Sequence, residues 1–195
     1  MSLCLHTVDG HALALLPDRW LAEPTPEEDE LLDALTGPVL DVGCGPARHA
    51  LALNRRGVVA LGIDTAPAAV DVALRRGATV IERSVFHRVP AEGRWRSVLL
   101  LDGNIGIGGD PVALLARVGQ LVQPSGVIAV EVEGDGIGLE ELTVRLVDHG
   151  RTRSPWFEWA RVGLDGLAAV ADRAGLDVMR VWEGGGRWFA FLVLR

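Results

Sequence analysis

Asp41-Val42-Gly43-Cys44-Gly45 places an acid two residues ahead of a Gly-x-Gly turn. Val39 to Val42 reads as a short buried strand, and Ala47 to Arg56 as a helix closed by Gly57 at its left-handed cap. A strand that runs through a glycine turn into a helix N-terminus binds ligands. The glycines let the backbone pass close to a bound group, and the free N–H groups of the first helical turn favour negative charge. Asp64 follows 23 residues after Asp41, at the end of the next apolar run. A carboxylate there can accept two charge-assisted hydrogen bonds from a ribose diol.

Two familiar nucleotide devices are excluded. The dinucleotide fingerprint needs glycine at the sixth position counted from Gly43, where this chain has Arg48. A phosphate-cradling P-loop needs a lysine, and the sequence contains none. With neither lysine nor tyrosine present, proton transfer is left to His, Asp, Glu, Cys or water.

The stretch Asp41-Val-Gly-Cys-Gly-Pro-Ala resembles motif I of the class I S-adenosylmethionine-dependent methyltransferases, with Ala47 where the family often has a third glycine. The resemblance implies that Asp41, Gly43, Cys44 and Gly45 line the cofactor site. Asp64 would hold the adenosine ribose, with Thr65 beside the base. The base would lie against Ser84-Val85-Phe86, where Ser84 replaces a common aspartate. Asp102-Gly103-Asn104 would form the floor near the methyl group, with S-adenosylmethionine as the cofactor.

Methyl transfer from a sulfonium is an in-line displacement, so alignment and water exclusion supply much of the effect. A base is needed only for a protonated acceptor. The catalytic residue stays open among His149, Asp102 and Asn104, with His87, Glu131 and Glu133 as further bases. Trp156, Phe157 and Trp159 stand where the family often builds its acceptor pocket, and Arg151 and Arg153 would suit an acidic substrate.

These residues need elements to position them. Thr25-Pro26-Glu27-Glu28 is a capping box opening a helix to about Leu35. Apolar runs at Val58 to Ile63, Thr79 to Arg83, Trp95 to Leu101 and Val127 to Val132 alternate with helices at Pro67 to Arg76 and from Asp110 to about Val122. This alternation predicts an α/β fold with a parallel sheet, whose ligands sit at the carboxyl ends of the strands. A last helix, Asp165 to Ala174, precedes a hairpin around Glu183 to Arg187. The resemblance then implies a doubly wound, mostly parallel, seven-stranded, Rossmann-like sheet with an antiparallel C-terminal strand. Residues 1–195 read as a single domain, with 1–24 an irregular N-terminal cover and 133–163 an insertion on the acceptor side.

Composition sets the outer limits. A 49% apolar and 23% charged chain is that of a globular protein, and a net charge of −7 argues against nucleic-acid binding. No long uninterrupted apolar stretch predicts a membrane span, and Cys4 and Cys44 without CxxC spacing suit a reducing, cytoplasmic setting. Cys4, His6 and His11 match no strong zinc spacing, so no metal is expected. The expectation is a methyltransferase for a small-molecule acceptor. A non-catalytic cofactor-binding partner subunit and, further off, a nicotinamide-dependent oxidoreductase remain as alternatives.

Overall fold

The computed structural model describes residues 3–195. In chain order its strands and helices are β1 (Cys4–Thr7), β2 (Ala12–Ala14), α1 (Pro17–Leu21), α2 (Pro26–Asp33), β3 (Val39–Val42), α3 (Arg48–Arg55), β4 (Ala60–Asp64), α4 (Pro67–Arg75), β5 (Val80–Glu82) and β6 (Trp95–Leu100). After a single 3-10 turn at Asn104–Gly106 come α5 (Pro111–Leu121), β7 (Val122–Val132), β8 (Leu139–Asp148), β9 (Arg151–Thr152), β10 (Phe157–Val162), α6 (Leu164–Arg173), β11 (Leu176–Gly184) and β12 (Arg187–Leu194).

Seven strands form one sheet in the order β11-β12-β7-β6-β3-β4-β5. The five strands from β7 to β5 pair in parallel, and β12 slots antiparallel between β7 and β11. All four residues of β3 are buried, as a central parallel strand with helices on both faces requires. Two apolar clusters lie on the two sides of this sheet. One contains Leu40, Val98, Ile128 and Leu167, the other Leu31, Leu53, Leu99 and Phe189. Alternate residues of a strand thus serve opposite layers.

The N-terminal segment is not irregular. β1 and β2 form a hairpin, and β1 also pairs with β8, from Cys4 opposite Val147 to Thr7 opposite Val144. β8 pairs in turn with β10, which completes a second, antiparallel sheet in the order β10-β8-β1-β2. Residues 133–163, where the strand–helix alternation lapses, are therefore mostly strand. The reason the sequence hides this is physical: β2 is three residues long and exposed at both ends, and its partner strand pairs across more than 130 residues.

A backbone contact fixes the second sheet to the first. A Cβ on Gly106 would collide with the Ala160 carbonyl, so the 3-10 turn lies directly against β10. Among the described residues no helix is long and apolar enough to cross a membrane.

Candidate cofactor and acceptor site

The turn after β3 takes left-handed backbone at Gly43 (φ 70°), Gly45 (φ 52°) and Ala47 (φ 64°). Ala47 shows why a glycine suits its position, since an L-residue in that region carries about 1 kcal/mol of strain. Nothing lies within 4 Å of where a Cβ on Gly45 would stand, so the turn presents bare backbone to open space. Asp64, at the end of β4, reaches the same turn: its Oδ2 accepts the Gly45 N–H at 2.8 Å and its Oδ1 that of Ala66 at 2.8 Å. One carboxylate thus serves both the turn and the start of α4. Thr65 beside it is exposed.

Cys44 turns its side chain inward. A Cβ on Gly62 would stand 2.6 Å from its Sγ, so β4 needs glycine there. Burial, with the charges of Asp41 and Asp64, pushes the Cys44 thiol well above its usual range, which leaves it inert as a nucleophile. Asp41 is 1% exposed with no hydrogen-bond partner for Oδ2, and burial pushes it up to about 6.

Beyond β5, Val85 is buried, Ser84 Oγ accepts the Phe86 N–H at 3.3 Å, and the Phe86 ring covers Gly108. Arg117 anchors this segment through the carbonyls of Val85 (3.0 Å) and His87 (2.8 Å). After β6, Asn104 donates its amide to the carbonyls of Val42 and Gly43, both at 2.9 Å. That side chain ties the floor loop to the glycine turn.

Under the floor lies a cluster of three carboxylates and three guanidinium groups that the sequence does not announce. Glu28, fully buried on α2, accepts both terminal nitrogens of Arg48, one at 2.7 Å, as well as Arg187, Arg19 at 3.2 Å and the N–H of Thr25 at 2.9 Å. Burial would raise its pKa, but the neighbouring His49 ring, 3.7 Å away, and the Arg48 hydrogen bonds outweigh that and hold Glu28 at about 2. Arg48 also grips both oxygens of Asp102, at 2.9 and 2.8 Å. Arg187, on β12, forks onto Glu131 at 2.7 and 2.6 Å, and Glu131 accepts the Asp102 N–H at 2.6 Å. Burial and the neighbouring Asp102 carboxylate push Glu131 up to about 7, while the Arg187 fork favours its charged form. The capping box singles out Glu28, but only as a helix start. Arg48 registers in the sequence only as an absent glycine.

Above this floor opens a cleft of about 490 Å³, bounded by Asp102 and Gly103 of the floor, Leu5 and Leu13 of the hairpin, Trp20 of α1 and Trp159 of β10. Glu131 and Glu133 also face it. The Trp159 indole lies 4.0 Å from where a Cβ on Gly103 would stand. Of the other residues singled out for the acceptor, Trp156 stands outside the cleft, 43% exposed beneath the Arg145 guanidinium at 4.7 Å. Arg153 is exposed and bound to Asp148 at 2.7 Å. His149 occupies the turn between β8 and β9, exposed, 2.7 Å from the same carboxylate. His87 is exposed beyond β5 and likewise does not line the cleft. Asp102 and Trp159 come together; His149, Trp156 and Arg153 do not join them.

Similar architectures are known. A crystal structure of a SAM-dependent methyltransferase from Bacteroides fragilis in complex with S-adenosyl-L-homocysteine superposes with a TM-score of 0.81 at 22% identity, over 100% of this chain and 88% of that one. The fold is that of the class I S-adenosylmethionine-dependent methyltransferases. The glycopeptide N-methyltransferase MtfA complexed with S-adenosyl-L-methionine gives a TM-score of 0.68 at 16% identity, over 89% of this chain and 95% of that one. In sequence, a 2-heptyl-1-hydroxyquinolin-4(1H)-one methyltransferase of Mycobacteroides abscessus is 33% identical over 109 residues, 42% of this chain. The chain spans about half (48%) of that relative's length. No protein-family model matches the chain.

Proposed function

We propose that this protein transfers the methyl group of S-adenosylmethionine to a small-molecule acceptor. The observation that carries the reading is the meeting of the left-handed Gly43-Gly45 turn with Asp64 at the carboxyl ends of adjacent parallel strands. Open space over Gly45 lets a ligand lie against the backbone there, so the residues present fit the cofactor. Asp64 would exchange part of its backbone bonding for the ribose hydroxyls, and Val85 and Phe86 would flank the base. Asp102 and Gly103 would receive the methionine end. Likeness to methyltransferases on both fold and sequence supports this assignment.

The cofactor supplies an electrophilic methyl on sulfur, and an acceptor lone pair forms the new bond as the carbon–sulfur bond breaks. The chain's task is then alignment and exclusion of water. Asn104 positions the floor against the turn, and Arg48 orients Asp102 by gripping both of its oxygens. Where the acceptor carries a proton, Asp102, Glu131 and Glu133 are the carboxylates that line the cleft. The two described cysteines are free and buried, which suits the reducing, cytoplasmic setting we assign to it.

Calorimetric titration tests the reading, with S-adenosylmethionine and S-adenosylhomocysteine as ligands and NAD as control. Micromolar binding of the first two, about −8 kcal/mol, with no heat from NAD is the expected result. Absence of binding at millimolar concentration would refute it. Turnover by the protein alone, once an acceptor is in hand, separates the enzyme from a cofactor-binding partner subunit.

A further inference from the structure

The charged residues around the cleft are all matched from within the protein. Arg19 meets Glu28 at 3.2 Å, Asp102 meets Arg48 at 2.8 Å, and Glu131 meets Arg187 at 2.6 Å. On the outer side Glu133 meets Arg161 at 3.2 Å, and Arg161 also meets Glu140 at 3.0 Å. An acceptor with net charge would have to break such a pair, or enter a confined space without a counter-ion, and both are costly. One buried donor, Nε of Arg19, has no hydrogen-bond partner. It lies 3.8 Å from Oδ1 of Asp102, within the ion cluster.

The rest of the lining is apolar and planar in its opportunities. Leu5 and Leu13 pair across the hairpin and both face the cleft. Val162 lies on β10, three residues beyond Trp159, and lines the same space. The Trp159 indole reaches over Gly103, the bare backbone of the floor, and Gly106 locks β10 so that this ring is held at a fixed height. Trp20 stands on another side, from α1. Two indoles and paired leucines around a confined cleft give a flat molecule stacking and burial that a polyol cannot match. The volume is within the roughly 300–1,000 Å³ of small-ligand sites.

We propose that the acceptor is a neutral, flat, largely apolar molecule that stacks on Trp159 between the N-terminal hairpin and β10, with its methyl-accepting heteroatom over Asp102-Gly103. This deepens the methyltransferase reading and rests on it for the word acceptor. The cleft's preference for flat, neutral ligands can be measured apart from that reading.

The test uses the full chain, with and without S-adenosylhomocysteine, whose own affinity is measured first. 4-Hydroxyquinoline and 2-naphthol serve as flat neutral probes, methyl glucoside as a polar one and adenosine monophosphate as a charged one, read by calorimetry and tryptophan fluorescence. The flat probes should bind at least tenfold more tightly than the other two. Trp159→Ala should weaken them at least tenfold, and Trp159→Phe should restore most of the loss. Trp156→Ala, outside the cleft, should change nothing. Preference for the glucoside or the nucleotide, no binding of the flat probes, or indifference to both Trp159 variants would overturn the proposal. Binding of S-adenosylhomocysteine without flat-probe binding would sink this inference alone. Flat-probe binding without it would sink the cofactor reading and leave the cleft's preference standing.

Discussion

The floor of the cleft is held by ion pairs among Glu28, Arg48, Asp102, Arg187 and Glu131, whereas the facing wall is held by strand pairing and by backbone packing of Gly106 on Ala160. These two constructions respond differently to change. A buried charge cluster is tightly interdependent, because removing one member leaves others as uncompensated charges, with Glu28 and Arg48 almost wholly shielded from water. A wall of apolar strands tolerates altered side chains on its outer face and fails where backbones touch. In the proposed function the floor would fix where the reacting atoms sit, and the wall would decide what is admitted.

The largest effect should come from Glu28→Ala, which strands Arg48 and Arg187, 2% and 12% exposed at their side chains. Urea unfolding should show a loss of about 3–5 kcal/mol. A loss below about 1 kcal/mol would mean that the cluster is solvated and the contrast with the wall is void. Gly106→Ala strikes the wall at its backbone contact and should cost about 1–3 kcal/mol in the same measurement. Cofactor affinity should weaken less than acceptor-probe affinity in that variant, and equal losses would show that floor and wall act as one body.

Asp64→Ala should sharpen the comparison from the other side, weakening S-adenosylhomocysteine binding at least tenfold, about 1.4 kcal/mol, with flat-probe binding in its absence unchanged. An unchanged cofactor affinity would remove the ribose role. The smallest effect is that of pH. Asp41 sits at about 6 in the folded protein against 3.8 for an ordinary carboxyl. The folded state therefore holds its proton more tightly, and the cost of ionising Asp41 is fully present above about pH 6 and absent below about 3.8. Glu28 works in the opposite sense, but it stays ionised down to about 2 in the fold, so its stabilising contribution persists at pH 5. Going from pH 7.5 to 5 should stabilise the protein by about 1 kcal/mol through Asp41, with Glu131, raised to about 7, acting in the same sense, and Asp41→Asn should remove the Asp41 share of that slope. A melting temperature that falls steadily over this range would contradict it.

The glycine turn and the acid facing it, the proposed cofactor half, were legible because their signals are contiguous. Gly43-x-Gly45 and the spacing from Asp41 to Asp64 are properties of one strand–helix–strand unit, and the glycines and capping residues punctuate every element around it. The proposed acceptor half was not, since its wall is assembled from segments whose pairing leaves no local trace: Leu5 and Leu13 come from the hairpin, Trp159 from β10. Trp156 and Trp159 look alike in sequence, yet only the second lies within a strand that faces the cleft. The ion cluster escaped for a related reason. Its members come from α1, α2, α3, the loop after β6, β7 and β12, and no spacing along the chain unites them. Arg48 drew notice for the glycine it replaces, while its work is to join Glu28 to Asp102.

The pairing of Cys4 with Val147 bears on how the molecule assembles. β1 lies between β2 and β8, so the second sheet cannot close until two segments more than 130 residues apart have met, and loop closure of that length slows folding. The parallel sheet from β3 to β7 has no need to wait for it. During refolding β8 would then pass through a period with one bare edge, a template for another chain's strand. Recovery after dilution from denaturant should therefore fall with protein concentration, and a lysine placed on the outward face of β8 should restore it.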